Sequence, residues 1–469
     1  MLVAERIQEK ICFLQRVPPP PSDRTPSIFT LTVPLVLVLL PLPPLLIEHN
    51  PHPLLPSFSR FPFPSSKTPR LFPPRRYPPL LQTHTADYVD VRVTNDDDAA
   101  TLASMVPAKQ CKTVVEDVEA MVLAAERDLN TSHANAAEWF DEYHTYDEII
   151  GWYEDVASDF ERITKWVPRV GVSYGGLDMP AMHITGEGGD AKAKVWFQCS
   201  IHSREWISNA VCQYIVDYLV SNYGINDEVT NLLNTIELVI MPFVNPDGYK
   251  YTWSGERLWR KNRQPNPGST CVGTDLNRNY NDKWGTGGGS TNPCSETYEG
   301  ARAASAPETI AAQEYFLQNT PINGAIDWHA YSQLVLRPYG WTQTDAPDEG
   351  LLKECGDLFR DEAAKPFGTR FTSQKSIGLY PTTGTANDWF YSDDANVGGR
   401  RSIRAYGFTI ELRDTGRYGF ELPASQIIPS GQEMIPAAIS FMNFVRDNAL
   451  YYPDGGGTAN ATRAKHAEI

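Results

Sequence analysis

The chain has 469 residues, of which 41% are hydrophobic, and its formal net charge is −16. This length accommodates two or three domains, or one large catalytic domain with appendages. The acidic balance argues against nucleic acid as a partner, because a phosphate backbone requires clustered lysine and arginine. The seven cysteines include no C-x-x-C pair, so zinc-finger and thioredoxin interpretations have no support.

Residues 1–85 form a proline-rich leader for which we expect disorder, since proline recurs too often for a helical period to survive. The apolar stretch from Phe29 to Ile47 contains Pro34 and three further prolines, which argues against a membrane span. Leu31 to Leu40, with Arg24 upstream, is a candidate secretory signal segment, although its distance from the N-terminus is unusual. The alternative is a disordered leader or a misassigned start of the reading frame.

Residues 86–138 predict a small α/β module. The sequence DYVDVRVT alternates as a strand does, and Lys112 to Arg127 predicts a short strand that runs into a helix. A module of this size is marginal by itself, so we expect it to depend on contacts with the larger domain after it. Glycosylation sequons at Asn130 and Asn460 give mild support to secretion.

We predict that residues 139–452 form the main domain and that residues 453–469 form a flexible tail. Helical periodicity covers five segments: Asp147 to Ile163, Ser208 to Tyr223, Pro307 to Gln318, Leu351 to Ala364 and Gln432 to Asn448. Apolar strand candidates lie between them: Ala193 to Cys199, Glu237 to Val244, Ala325 to Trp328 and Gly407 to Leu412. This alternation predicts an α/β fold with a mixed, mostly parallel central sheet and helices on both faces.

Two histidines indicate where the chemistry lies, because each follows an apolar strand. His202 occurs in CSIHSREW just before Ser208, which we predict to be a helix N-cap, and His329 ends the strand that begins at Ala325. Glu205 is three residues beyond His202. Two histidines and one glutamate with a fourth position open are the ligand set of a hydrolytic zinc site.

The motifs around these residues resemble those of zinc metallocarboxypeptidases of the pancreatic A/B type. They span the main domain in order: HSREW (202–206), NPDGY (245–249), RLWRKNR (257–263), CVGTDLNRNY (271–280), PCSETYEG (293–300), HAYSQL (329–334) and IELRDTGRYGF (410–420). The resemblance implies that one Zn²⁺ is held by His202, Glu205 and His329. It also implies a monomer that hydrolyses the last peptide bond of peptides and proteins.

The same resemblance assigns the catalytic and substrate-binding groups. Glu411 matches the general base, and Arg260 matches the residue that stabilises the oxyanion. Arg278 and Asn277, with Tyr380, match the groups that bind the terminal carboxylate, and arginine suits this because its planar fork pairs with carboxylate. Arg204 and Arg257 are expected to line the approach for upstream residues.

The pocket for the last side chain departs from both family types. By spacing from Tyr380, Asn387 stands where the A type has an apolar residue and the B type an aspartate. Because a neutral amide offers no charge partner to lysine or arginine, we expect a preference for neutral C-terminal residues. Four residues would form a mixed wall: Leu336, Thr382, Thr385 and Thr409. Lys375 would favour an acidic terminus if it reached the pocket.

The resemblance also implies a secreted zymogen. Cys271 and Cys294 match the family disulfide, whereas Cys199, Cys212 and Cys355 stay unassigned, with Cys199 interpreted as a small buried residue. The module at 86–138 resembles the latter part of an inhibitory prosegment, truncated by the loss of its first strand and helix. Activation would need a protease that cuts between about residues 127 and 139.

Two alternatives remain open at this point. One is a catalytically inactive relative that keeps the fold and the zinc and acts as a binding protein; the presence of Glu411 speaks against it. The other is a zinc deacylase of N-acyl amino acids, against which the carboxylate-binding residues and the full-length match argue.

Overall fold

The computed structural model describes residues 139–187, 192–392 and 404–450, together with four strands upstream of residue 139. These four strands are β1 (Lys10–Gln15), β2 (Leu81–His84), β3 (Tyr88–Val93) and β4 (Cys111–Val115). They form an antiparallel sheet in the order β2-β3-β1-β4. β3 follows the alternating sequence that predicts it, and β4 starts one residue before the predicted strand.

β1 and β2 correct the prediction that residues 1–85 contribute no regular structure. β1 lies in the middle of the sheet, because its backbone pairs with β3 on one side and β4 on the other. Six residues without a long alternating pattern indicate little by themselves, and it is the pairing on both sides that makes them a strand. The candidate signal segment, the helix predicted after β4, both sequons and the tail lie outside the described residues.

The main domain is built on an eight-stranded sheet, in the order β11-β10-β12-β9-β7-β8-β6-β5. Its strands are β5 (Thr164–Val172), β6 (Asp178–Thr185), β7 (Ala193–Gln198), β8 (Ile236–Met241), β9 (Gly324–His329), β10 (Leu334–Arg337), β11 (Thr372–Lys375) and β12 (Tyr406–Glu411). The central run β12-β9-β7-β8 is parallel throughout, and β10 and β11 are parallel to each other. The remaining neighbours are antiparallel, which confirms a mixed, mostly parallel sheet.

The α-helices of the described ranges are α1 (Tyr146–Asp159), α2 (Trp206–Asn222), α3 (Asp227–Thr235), α4 (Pro246–Ser254), α5 (Pro307–Gln318), α6 (Glu349–Ala364), α7 (Ala386–Tyr391) and α8 (Ile427–Asp447). Local chemistry explains several of their starts. Thr145 and Glu148 form a capping box at α1, and Asn226 caps α3. Proline occupies the first turn of α4 and α5, where its missing N–H costs nothing.

Helices cover both faces of the sheet, as predicted. Along β7, Val195 and Phe197 pack into one core with α2 and α8, whereas Trp196 between them packs into a second core with α5 and α7. Because successive side chains of a strand point to opposite faces, a strand buried on both sides must be apolar at every position. No helix in the described part of the chain is long and apolar enough to cross a membrane.

The five predicted helices and four predicted strands are all present, with ends shifted by a few residues. One cap is wrong: α2 begins at Trp206, so Ser208 lies inside the helix, where its hydroxyl donates to the Glu205 carbonyl over 2.7 Å. Several short elements are additional to the prediction: β5, β6, β10, β11, α3, α4 and α7. They are too short, or too mixed in polarity, to produce a clear period.

The structure contains two disulfides within the described residues. Cys271–Cys294 joins the pair implied by the family resemblance. Cys199–Cys212 joins the end of β7 to α2. Cys199 is buried, as interpreted, but it is half of a disulfide rather than an unpaired small residue. The prediction missed this bond because only the packing of a helix against its preceding strand brings the two thiols together. Cys355 is a free, buried thiol.

Candidate metal centre and active site

Three predicted metal ligands converge at the carboxyl ends of the central strands. His202 and Glu205 lie in the short loop between β7 and α2, and His329 is the last residue of β9, the strand next to β7. The Glu205 carboxylate lies between the rings, with Oε1 3.0 Å from His202 Nδ1 and Oε2 2.9 Å from His329 Nδ1. One donor atom from each residue lies within 4.8 Å of the others, and all three residues are buried.

The outer nitrogen of each histidine contacts an aspartate that the sequence analysis missed. His202 Nε2 lies 3.1 Å from Asp275 Oδ1, and His329 Nε2 lies 2.7 Å from Asp327 Oδ2. A carboxylate behind a ligating imidazole fixes its orientation and tautomer, so that Nδ1 carries the lone pair toward the metal. Asp327 lies two positions before His329 on β9, so the two side chains share one face of the strand, and the sequence could have revealed this pair. Asp275 is distant from His202 in sequence, and no spacing pattern connects them.

The donor set fits Zn²⁺. Two imidazole nitrogens and one carboxylate oxygen, held by second carboxylates and buried under the protein, are what a catalytic zinc site requires. Burial lowers the pKa of His202, and the positive charge of Arg260 acts in the same direction. Both effects favour the neutral imidazole, which is the form that binds a metal ion.

Glu411 lies beside this centre. It ends β12, which runs parallel to β9, and it is the direct cross-strand neighbour of His329. Burial raises the pKa of Glu411 to about 8, with the charge of Glu205 adding to the effect and that of His329 opposing it. Its Oε2 atom is buried and has no hydrogen-bond partner among the described residues. A carboxyl held this way is equipped to take up and release a proton.

Arg260 places a positive charge at the edge of the metal centre. Its Nε and Nη2 atoms donate to Asp275 Oδ2 over 3.2 and 2.9 Å, and its Nη1 atom lies 3.1 Å from His202 Nδ1. Burial alone would lower the pKa of Arg260, but the charges of Asp275 and Glu205 raise it instead. The bonds to Asp275 fix the guanidinium plane, and Nη1 is the end that points to the reaction centre.

Arg278 and Tyr380 come together as predicted, since Arg278 Nη2 donates to the Tyr380 hydroxyl over 3.1 Å. Asn277 is engaged differently. Its Oδ1 accepts from the backbone N–H of Ala386 over 2.8 Å, and its Nδ2 lies 3.1 Å from His329 Nε2. These contacts tie His329 to the start of α7. The assignment of Asn277 to substrate binding stays a prediction.

Arg204 and Arg257 are both buried next to the loop that carries His202 and Glu205, and both bind other protein groups. Arg257 donates to the carbonyls of Arg204 and Phe420, each over 2.8 Å, and stacks on Trp206. The Arg204 guanidinium lies over the Phe420 ring and 3.6 Å from Glu296. Both guanidinium groups therefore interact with other groups of the protein. Their assignment to the approach for upstream substrate residues stays a prediction.

Asn387 lies in the first turn of α7 and is buried, as are the four predicted wall residues Leu336, Thr382, Thr385 and Thr409. Leu336 and Thr409 are cross-strand neighbours on β10 and β12. Lys375 pairs with Asp345 over 2.6 Å and donates to the Gln343 carbonyl. Lys375 is thus held by Asp345 and Gln343, and the structure does not direct it to an acidic C-terminal residue.

Comparison with known proteins decides the family. Residues 149–437 match the model of the zinc carboxypeptidase peptidase family, which covers more than half of the chain. The chain belongs to the zinc carboxypeptidase family. It is a hydrolase of the exopeptidase class, and its cofactor is zinc, in agreement with the His202–Glu205–His329 group.

Curated zinc carboxypeptidases are similar over most of their length. A metallocarboxypeptidase A of Arthroderma otae is 36% identical over 322 residues, which is 67% of this chain and 74% of the relative. Carboxypeptidase A4 of Mus musculus is 37% identical over 65% of this chain and 71% of its own. Carboxypeptidase B2 of Homo sapiens is 36% identical over 70% of this chain and 76% of its own length. The relatives thus include both A-named and B-named enzymes.

Solved structures share the fold of this zinc carboxypeptidase. Thrombin activatable fibrinolysis inhibitor matches with a TM-score of 0.69 at 32% identity, covering 77% of this chain and 89% of its own. The bovine form, solved with a tick carboxypeptidase inhibitor, matches with a TM-score of 0.61 at 34% identity, covering 66% and 100%. Carboxypeptidase A of Helicoverpa armigera shares the fold with a TM-score of 0.69 at 24% identity, covering 77% and 89%.

Proposed function

We propose that this zinc carboxypeptidase removes single residues from free C-termini of peptides and proteins, that it prefers neutral C-terminal residues, and that it is made as a secreted zymogen. The observation that supports this most strongly is the position of Glu411, the cross-strand neighbour of His329, whose carboxyl atom Oε2 is buried and has no partner among the described residues. A metal centre with a proton-transfer group beside it serves hydrolysis, whereas a binding protein has no use for that group.

The residues act in turn on a bound peptide. His202, Glu205 and His329 would hold the zinc ion, which would supply Lewis-acid chemistry to the scissile carbonyl and to water. Glu411 takes a proton from the attacking water and delivers it to the nitrogen of the leaving residue. Arg260 Nη1 stabilises the oxyanion of the tetrahedral intermediate, because its charge is already oriented by Asp275.

Exopeptidase selectivity is assigned to Arg278 and Tyr380. A guanidinium hydrogen-bonded to a phenol offers a charged donor to the terminal carboxylate of the substrate, and an internal peptide bond has no such carboxylate. This pair distinguishes a free C-terminus from a blocked one. The uncharged Asn387 in the neighbouring pocket supports the preference for neutral last residues.

Secretion as a zymogen rests on features outside the active site. Two disulfides favour an oxidising compartment. The upstream sheet of β1–β4 provides a folded segment before the catalytic domain, and cleavage between about residues 127 and 139 would separate the two. One structural relative is named as activatable by thrombin, which is a property of that protein. We further propose that the enzyme is a monomer.

Hydrolysis of matched peptides with free and amidated C-termini tests the function. We expect full-length protein treated with trypsin to release only the last residue, only from free C-termini, and to lose this activity with a zinc chelator. Glu411→Gln should lower kcat by a factor of about 10² to 10⁴ while zinc content is unchanged. Release from amidated peptides would contradict the exopeptidase assignment, and bound zinc without any hydrolysis would favour an inactive binding protein.

A further inference from the structure

Asn387, the residue expected to line the pocket for the last side chain, has a defined position relative to β12. Gly407, Thr409 and Glu411 alternate along β12 and therefore lie on one face of that strand. A β-carbon at Gly407 would lie 2.2 Å from the backbone oxygen of Asn387, so α7 packs directly on this face. Asn387 thus lies along the same face as the base Glu411, about 13 Å down the strand, with Thr409 between them.

A hydrogen-bond chain fixes which end of the Asn387 amide is available. Asn387 Nδ2 lies 2.8 Å from Ser376 Oγ, and Ser376 Oγ lies 3.0 Å from the backbone oxygen of Arg337. A carbonyl oxygen has no proton to give, so the Ser376 hydroxyl must donate to Arg337. Its lone pair then accepts from Asn387 Nδ2. The amide nitrogen is therefore committed to Ser376, and the opposite flip would set two acceptors against each other.

The side-chain oxygen of Asn387, Oδ1, has no hydrogen-bond partner among the described residues. It also keeps some accessible surface, unlike the fully buried unpaired atoms of this part of the chain. Two basic side chains on β10 and β11, within the described residues, are already paired with carboxylates. Lys375 pairs with Asp345, and Arg337 pairs with Glu349 over 2.7 Å. Asp388 accepts from the backbone N–H of Gly340. Asn387 Oδ1 is therefore an oriented, uncharged hydrogen-bond acceptor that no described group uses.

We propose that this pocket selects C-terminal residues whose side chain ends in an uncharged N–H donor, which makes a carboxamide, glutamine or asparagine, the preferred class. The inference rests on the proposed carboxypeptidase function and specifies its substrate. An apolar side chain would cover Oδ1 without a hydrogen bond, and a carboxylate would face another acceptor. An ammonium would lose hydration for a bond to an amide oxygen, which carries no counter-charge.

Peptides that differ only in the last residue test this, with glutamine, methionine, glutamate and lysine as side chains of similar length. We expect kcat/KM for the glutamine peptide to exceed that for methionine about threefold to tenfold and that for glutamate more than about tenfold. If methionine or glutamate is released as fast as glutamine, the inference is wrong while the enzyme assignment stands. If no peptide is cleaved, the proposed function itself fails.

Two variants separate orientation from polarity. Asn387→Leu removes the acceptor at similar size and should reverse the order of glutamine and methionine. Ser376→Ala frees the amide to turn, so the ratio of glutamine to glutamate release should fall toward unity, whereas a purely structural loss would lower both rates together. Thr372→Ala, at an exposed position of the nearby β11, is the matched control and should leave all ratios unchanged. An unchanged ratio in Ser376→Ala would contradict the proposed orientation.

Discussion

At the scale of single residues, this active site depends on carboxylates that never touch the substrate. Asp275 accepts from both His202 and Arg260, so one buried side chain orients a candidate metal ligand and the proposed oxyanion-stabilising group together. Asp327 orients His329 in the same way, and the Gln198 amide in turn donates to Asp327 over 3.0 Å. The ligands are thereby fixed before any metal or substrate binds.

Replacing Asp275 should weaken zinc binding without removing any ligand. Asp275→Asn keeps the volume but loses the charge that orients His202, so we expect zinc affinity to fall about 10-fold to 100-fold. Competition with a graded series of chelators, followed by metal analysis, measures the change. Asp357→Asn on α6, remote from the metal ligands, serves as the control and should bind zinc normally. Unchanged affinity in Asp275→Asn would show that His202 needs no such support.

Asp388 should make stability depend on pH. Burial raises its pKa from 3.8 to about 7, and the charge of Asp282 adds to the effect. Between these pH values the folded protein keeps a proton that the unfolded chain releases, so the free energy of unfolding falls as pH rises from about 4 to about 7 and then levels off. Asp388→Asn should make this decline smaller in urea titrations at a series of pH values, with Glu411 still contributing, while exposed Asp361→Asn keeps it in full. Parallel curves for Asp388→Asn and the parent would contradict the assignment.

At the scale of elements, the position of Glu411 depends on how β12 is anchored to α8. Arg413, two residues beyond Glu411, donates through Nε to Glu433 Oε2 over 2.8 Å and through Nη1 to Gln426. Glu433 is fully buried in α8 and also accepts from Thr369. A buried ion pair holds one geometry strongly, because separating its charges inside the protein is costly.

Removing the acidic partner of this pair should destabilise the fold. Glu433→Gln leaves Arg413 without a counter-charge, and we expect a loss of about 3–5 kcal/mol in the free energy of unfolding. Urea denaturation of the zinc-loaded enzyme measures it. The control is Glu362→Gln, which breaks the more exposed pair with Lys365 and should cost less than about 1 kcal/mol. Equal losses in both variants would mean that burial of the Arg413 pair is unimportant.

At the scale of the whole molecule, the sheet order assembles residues that are far apart in sequence. The candidate ligands and the proposed base come from the loop after β7, from β9 and from β12. These three strands lie side by side, although more than 200 residues separate His202 from Glu411. The loop between Cys271 and Cys294 then adds Asp275, Asn277 and Arg278. The disulfide therefore closes a segment that carries both Asp275, which supports His202, and two residues proposed to bind substrate.

Loss of this disulfide should affect both stability and substrate binding. In the chain-entropy model, closing a loop with a sequence separation of 23 stabilises the fold by about 3 kcal/mol. We expect Cys271→Ser with Cys294→Ser to lose about that much and to raise KM, because Arg278 lies in the freed loop. Denaturant titration and peptide kinetics measure the two effects. A lowered stability with unchanged KM would show that Arg278 is positioned independently of the disulfide.

The sequence by itself determined the family, the His202–Glu205–His329 group that could hold zinc, and the Cys271–Cys294 bond, because these depend on residue identity in ordered motifs; it also supplied Glu411 as the proposed base. It also located the long helices and the central strands, whose burial imposes a clear apolar pattern. Tertiary structure alone decided the strand pairing of Lys10–Gln15, the Cys199–Cys212 bond, the support from Asp275 and the direction of the Asn387 amide. Each of these arises from contacts between segments, or from hydrogen-bond geometry that no local pattern encodes.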